Sequence, residues 1–192
     1  MSNPDLIRFF QRVNRLKRTE RTGWVIKRIK KPESVAEHSF RTAILAYVLT
    51  KDISGVDTDK LITMALIHEF GEIFAGDIPT GPLYEFKNGY LERKRRLELK
   101  SVKKVLSDLP PSTRKGLFSL WKEAEEKRTV ESKWLKNLDK LEMALQALDY
   151  ELEGYSPKSL DEFWEDSKKK ISEPKAIAVL KKAEKLRKRR VE

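Results

Sequence analysis

The chain has no cysteine among its 192 residues, and only two histidines. Without thiols it can form neither a disulfide framework nor a thiolate metal site. Long apolar runs are missing too, and nothing approaches the roughly eighteen consecutive residues of a membrane span. The opening segment, MSNPDLIRFFQRVNRLKR, lacks the ordered basic, apolar and small-residue regions of a secretory signal. These absences set the expectation of a cytoplasmic protein without membrane contact. No internal repeat is visible, and the length suits one domain with a substantial core. Glutamine and asparagine are scarce beside abundant Lys, Arg and Glu, a balance that leans towards a thermophilic source.

Charged side chains are plentiful, at 37% of the chain, with a formal net charge of +11. Seven cations and one glutamate fall within KKAEKLRKRR at residues 181–190. More than half of the excess charge therefore sits in one stretch. It reads as a solvated helix end, and nucleic acid is not the expected partner. The mildly cationic remainder suits a small phosphate-bearing substrate.

Helical periodicity runs from end to end. Over 4–18, Leu6, Ile7, Phe9, Phe10, Val13 and Leu16 recur at spacings of three and four. Ser34 and Glu37 form a capping-box pattern after Pro32, which sets a helix start at about Ser34. A further helix is predicted through DTDKLITMALIHEFGEIF, with Asp57 or Thr58 as its cap. Gly76, Pro79, Gly81, Pro82 and Gly89 then punctuate a loop before a charged helix at about 91–107. Ser112 or Thr113 is the expected cap of the next helix, through Leu117, Leu120 and Trp121. ESKWLKNLDKLEMALQALDYELE reads as a long amphipathic helix with Trp134, Leu138, Leu141, Leu145 and Leu148 along one side. Shorter helices are expected near Pro157 and Pro174, and no segment reads as a strand. The expected class is all-α: a single compact domain over 1–192, with a basic helical tail at 174–192.

His38 and His68 each sit inside an otherwise apolar helical segment. A lone buried histidine is usually a hydrogen-bonded core residue, but carboxylates surround these two. Glu69 follows His68 directly, and Glu72 lies one helical turn on from it. Asp77 comes shortly after, and Asp139 is flanked by Leu138 and Leu141 on the long helix. Carboxylates near an apolar core cost free energy unless they bind a cation or one another. Imidazole with carboxylate is a donor set accepted by Mn²⁺, Co²⁺, Fe²⁺, Ni²⁺ or Zn²⁺.

ESVAEHSFRTAILAY, ALIHEFGEIFAGDIPT and LDKLEMALQALDYE, in this order and spacing, resemble the HD-domain superfamily of metal-dependent phosphohydrolases. The likeness is greatest to its YfbR-like branch of 5′-deoxynucleotidases, and it runs from RTGW at 21–24 to at least Glu151. It implies an HD-domain helical bundle with metal-site motifs within 34–151, around one divalent ion (Co²⁺, Mn²⁺, Ni²⁺, Zn²⁺ or Mg²⁺). His38, His68 and Asp139 would be ligands, with Glu69 where the family has Asp. Glu is one methylene longer and is still a competent oxygen ligand. The resemblance assigns catalysis to Glu72, orienting or deprotonating the water, and to Asp77, donating to the departing 5′-oxygen. Those two roles are open to exchange. Trp24 is similar to a family Trp near the sugar, and Asp77, Ile78, Pro79 and Thr80 to the segment that binds the nucleotide. Gly23 stands where some members carry Arg, which leaves Arg21, Lys27 and Arg28 as alternatives for the phosphate. For Ser39 and Arg41, beside the first ligand, solvated or packing roles are at least as fitting.

The activity so implied is removal of the 5′-phosphate from (deoxy)ribonucleoside monophosphates, deoxy forms preferred, by a homodimer. Phosphodiesterases of the superfamily that gather additional histidines are excluded, because this chain has two in all. The competing reading is a catalytically degenerate helical module that binds nucleotide or RNA through its basic surface, with Glu69 marking the lost site. Metal content and turnover separate the two.

Overall fold

The computed structural model describes residues 4–80 and 88–188. Gly81 and Pro82 of the expected loop, and the last two arginines of the basic tail, lie outside the described residues. The all-α expectation holds. Among the described residues, extended backbone pairs only at one isolated antiparallel bridge, Glu20 with Ser34. No helix among them is long and apolar enough to cross a membrane. The chain divides into two compact units, one of residues 4–39, 67–80 and 88–125, the other of 40–66 and 126–188.

The first unit opens with α1 (Leu6–Val13), capped by Asp5, whose side chain accepts from the Arg8 amide. The predicted helix over 4–18 is not continuous. It tightens into a 3₁₀ turn at Asn14–Arg18, which carries buried Leu16 back onto the core beside Phe9. A short helix that periodicity did not announce, α2 (Thr22–Ile26), follows. The expected capping box then starts α3 (Val35–Thr50): the Ser34 amide donates to Glu37 at 2.6 Å, and the Glu37 amide donates to Ser34 Oγ at 3.2 Å.

The predicted helix from Asp57 to Phe74 is broken in the structure. It comprises α4 (Thr58–Ile67), a 3₁₀ turn at His68–Gly71 and α5 (Glu72–Ala75). Tertiary hydrogen bonds replace helical ones at the break. Trp121 Nε1 donates to the His68 carbonyl at 3.2 Å. Ser101 Oγ donates to the Phe70 carbonyl at 3.2 Å and accepts from the Phe74 amide at 3.1 Å. Ser101 belongs to α6 (Tyr90–Leu106) and Trp121 to α7 (Pro111–Glu126). The α7 start precedes the expected Ser112 or Thr113 cap, because Pro111 needs no amide partner and can take the first helical position. Phe9, Leu16, Val35, Ile67, Phe70, Ile73, Val102, Val105, Leu106, Leu109 and Trp121 make the buried core of this unit. Each such side chain contributes roughly 1.5–3 kcal/mol by leaving water.

The second unit is built on α8 (Val130–Leu152), whose start carries a capping box of Thr129 and Ser132. It packs against α9 (Pro157–Lys170) and α10 (Pro174–Lys188). Ser167 Oγ of α9 donates to the Lys140 carbonyl at 2.7 Å. Asn137 accepts the Ser172 and Glu173 amides at 2.6 and 3.0 Å, which satisfies donors just before α10. Arg41 pairs with Glu142 at 3.2 Å and with Asp149 at 3.0 Å, a packing role of the kind expected for it. Arg187 Nε holds the Glu151 carboxylate at 2.9 Å while its Nη2 meets Asp161 at 2.6 Å. The tail is thus docked by an ion-pair network through Lys188, where the described residues end.

Candidate metal and catalytic site

In the first unit, His38 and His68 turn towards a single carboxylate oxygen. His38 Nε2 lies 3.8 Å from Glu69 Oε1, and His68 Nε2 lies 3.4 Å from the same atom. The two imidazole centroids are 5.5 Å apart. Ligand atoms of His38, His68 and Glu69 fall within 4.8 Å of one another. Two imidazoles and a carboxylate converging in this way fit a borderline divalent metal. His38 is fully buried on the first turn of α3. His68 is fixed through its own carbonyl by Trp121.

Arg21 reaches the same focus, with Nη1 2.9 Å from Glu69 Oε1. The backbone places it there: its amide donates to the Glu33 carbonyl at 3.0 Å, beside the Glu20–Ser34 bridge. Of the three cations left open by the sequence, Arg21 thus has a direct contact with the cluster.

The 3₁₀ turn alters the expected arrangement. Residues three apart are eclipsed in such a turn, so the tightening favours Glu69 and Glu72 as neighbours over His68 and Glu72. Glu72 is 3% exposed, and among the described residues its Oε2 has no hydrogen-bond partner. Burial pushes its carboxyl well above the usual glutamate range. Negative Glu69 and Asp77 push the same way, while Arg21 and Lys94 oppose them. A buried oxygen of this kind calls for a bound species or a reaction to explain it.

Asp77 is tied to the start of α2. Its Oδ2 accepts from the Thr22 amide at 2.6 Å, and its carbonyl accepts from Thr22 Oγ1 at 2.6 Å. Gly76, at φ +76°, ends α5 and turns the chain to present Asp77. Ile78 and Pro79 are half-buried and Thr80 is exposed. The Pro79 carbonyl accepts from the Tyr90 hydroxyl at 2.8 Å. Trp24 is 1% exposed, and its indole N–H donates to Glu33 Oε1 at 2.7 Å. Asp139 belongs to α8 of the second unit, where Lys140 Nζ stands 3.3 Å from its Oδ2.

Sequence reasoning passed over three members of this neighbourhood. Lys94 and Glu98 pair one turn apart on α6. In KNGYLERKRRLELK such a pair is indistinguishable from a solvated one, yet Glu98 is buried. Burial raises the Glu98 carboxyl and Lys94 pulls it back. Burial also pulls Lys94 down, but the Glu98 carboxylate, with Glu69 and Glu72 behind it, lifts the ammonium above its ordinary value. Glu33 was missed as well, since nothing local separates it from the basic run before it.

The sequence profile of the HD domain matches residues 13–178. A curated mouse protein named 5′-deoxynucleotidase HDDC2 is 37% identical over 183 residues, covering 95% of this chain and 88% of its own. The Saccharomyces cerevisiae protein named 5′-deoxynucleotidase YGK1 is 31% identical over 160 residues, covering 81% of this chain and 71% of its own. A crystal structure of a Pyrococcus horikoshii protein superposes with a TM-score of 0.75 at 33% identity, covering 94% of this chain and 99% of that one.

Proposed function

The chain belongs to the HD domain family, and from that premise we propose a metal-dependent phosphohydrolase that removes the 5′-phosphate from nucleoside monophosphates, deoxy forms preferred. The observation that carries the reading is the convergence of His38 Nε2 and His68 Nε2 on Glu69 Oε1, with buried Glu72 close behind. The names of the curated relatives support the substrate class.

In this reading His38, His68 and Glu69 hold one divalent ion, and Asp139 supplies a fourth ligand by its place in the family motif. Bound there, the ion lowers the pKa of a coordinated water and offsets phosphate charge. Glu72 and Asp77 divide the proton transfers. Burial favours the protonated form of Glu72, which argues for Glu72 as donor to the departing 5′-oxygen and Asp77 as the group that orients the water. This is the exchanged form of the roles first assigned. Arg21 is the phosphate contact, and Asp77, Ile78, Pro79 and Thr80 line the nucleotide. Trp24 borders the sugar by its place in the family motif. A cytoplasmic homodimer over a single functional domain completes the proposal.

Phosphate release tests it directly. Metal-stripped protein receives Mn²⁺, Co²⁺, Ni²⁺, Zn²⁺ or Mg²⁺ with deoxyribo- and ribonucleoside monophosphates, at moderate and high temperature. Metal-dependent turnover that favours deoxy substrates, and that disappears in His68→Ala and Asp139→Ala, is expected. Folded protein that releases no phosphate under any of these conditions would leave the degenerate binding module in its place.

A further inference from the structure

Three side chains on one face of α6 hold the segment that carries Glu72 and Asp77, and a fourth lies among them. The Tyr90 hydroxyl donates to the Pro79 carbonyl at 2.8 Å. Glu98 packs so close to Gly71 that a Cβ there would stand 2.8 Å from its own. Ser101 bonds the Phe70 carbonyl and the Phe74 amide. Tyr90, Glu98 and Ser101 lie within about 80° of the helix circumference. Lys94 falls inside that arc, one turn from Tyr90 and one turn from Glu98. The segment passes Glu98 at Gly71 and Tyr90 at Pro79, so Lys94 stands level with the stretch between, which holds Glu72 and Asp77.

The Lys94 side chain is 17% exposed, and its ammonium pairs with Glu98. Helix energetics do not account for the pair, because the favourable order at this spacing has the glutamate first. An ion pair so far withdrawn from water is also weak evidence of stabilisation. Burial works against the charge, yet Glu98, Glu69 and Glu72 hold the ammonium above its ordinary value. An ammonium has three donors, and among the described residues Lys94 gives a hydrogen bond to Glu98 alone.

We propose that Lys94 is a second phosphate contact, bringing its ammonium to the substrate's 5′-phosphate from α6 while Arg21 does so from the start of α2. The inference rests on the phosphohydrolase reading above. A phosphomonoester dianion that arrives beside Glu69 and Asp77 meets like charge, and Lys94 offsets part of it. An ammonium serves phosphate oxygens as a point charge. Glu98 restrains the flexible stem, so less side-chain freedom is lost when phosphate binds.

Inorganic phosphate is the probe, titrated by calorimetry into Co²⁺-loaded wild type, Lys94→Met, Lys94→Arg and Glu98→Gln. Circular dichroism checks the fold of each variant. Lys94→Met removes the charge and keeps an unbranched stem, and it is expected to bind phosphate roughly 10–100-fold more weakly. Its KM for a deoxyribonucleoside monophosphate should rise by a similar factor. Its Co²⁺ affinity, and its inhibition by the dephosphorylated nucleoside, should match wild type. Lys94→Arg should recover most of the lost phosphate affinity, and Glu98→Gln, which keeps the cation, should lose less than Lys94→Met. Should Lys94→Met fail to fold, Lys94→Gln carries the same expectation. Wild-type phosphate affinity in the neutral variant would overturn the proposal. So would equal losses in Lys94→Met and Glu98→Gln with Co²⁺ affinity falling alongside, since that is the mark of a purely structural pair. Wild type that takes up Co²⁺ yet neither binds phosphate nor releases it from nucleotide would sink the phosphohydrolase reading itself, and this inference with it.

Discussion

At Glu72 a nearly inaccessible carboxyl shares its surroundings with Glu69 and Asp77. Its folded-state pKa lies above its unfolded value. The contribution to stability is therefore whole below the ordinary glutamate range and is lost as pH rises through the folded value. Glu72→Gln removes the titration, so the metal-free variant should be more stable than wild type at neutral pH, by on the order of 1 kcal/mol. No gain is expected in acid. Thermal melting across pH checks the sign. The same substitution should lower kcat about 100-fold or more, if Glu72 transfers a proton. Legibility at this scale followed local contrast. His38, His68 and Glu69 stood out because their neighbours are apolar, whereas Glu33, Lys94 and Glu98 lie in or beside charged runs, and only tertiary structure buries Glu33 and Glu98 and half-buries Lys94.

The 3₁₀ turn at His68–Gly71 is the element on which the site depends, and Gly71 lets it approach α6. A Cβ at Gly71 would stand 2.8 Å from Glu98 Cβ and 2.9 Å from its Cγ. Gly71→Ala should cost roughly 1–3 kcal/mol by overpacking. It should also cut kcat/KM by about 100-fold, because Glu69 and Glu72 flank the displaced residue. Gly116→Ala in α7 is the control. Nothing lies within 4 Å of its added Cβ, and a gain of about 0.5–1 kcal/mol in helix stability is expected. Melting and steady-state kinetics on the two variants separate packing from propensity. The longer helices α3, α6 and α8 were readable because caps and a period of 3.6 act within a few residues of sequence. The break between α4 and α5 was not, since Ser101 and Trp121, which hold the carbonyls of Phe70 and His68, are some thirty to fifty positions away in the chain.

For the molecule as a whole, metal occupancy should be visible as stability. A ligand at a hundredfold excess over its Kd stabilises by about 2.7 kcal/mol, which corresponds to roughly 5–11 °C in Tm for a chain of this length. Differential scanning calorimetry with and without the preferred ion should show that shift in wild type and not in His68→Ala. The net charge of +11 acts at longer range. It should draw in an anionic nucleotide and be screened by salt, so kcat/KM should fall as ionic strength rises, with the larger part of the change in KM.

The bridge of Glu20 with Ser34 gives the molecule a built-in gauge. The Arg21 and Val35 amides donate across it, while the surrounding protected amides belong to helices. On transfer to deuterium oxide, these two protons will exchange when the bridge parts, independently of helix fraying. Their two exchange rates, followed residue by residue, are a clock for how often Arg21 and Glu33 leave their posts together.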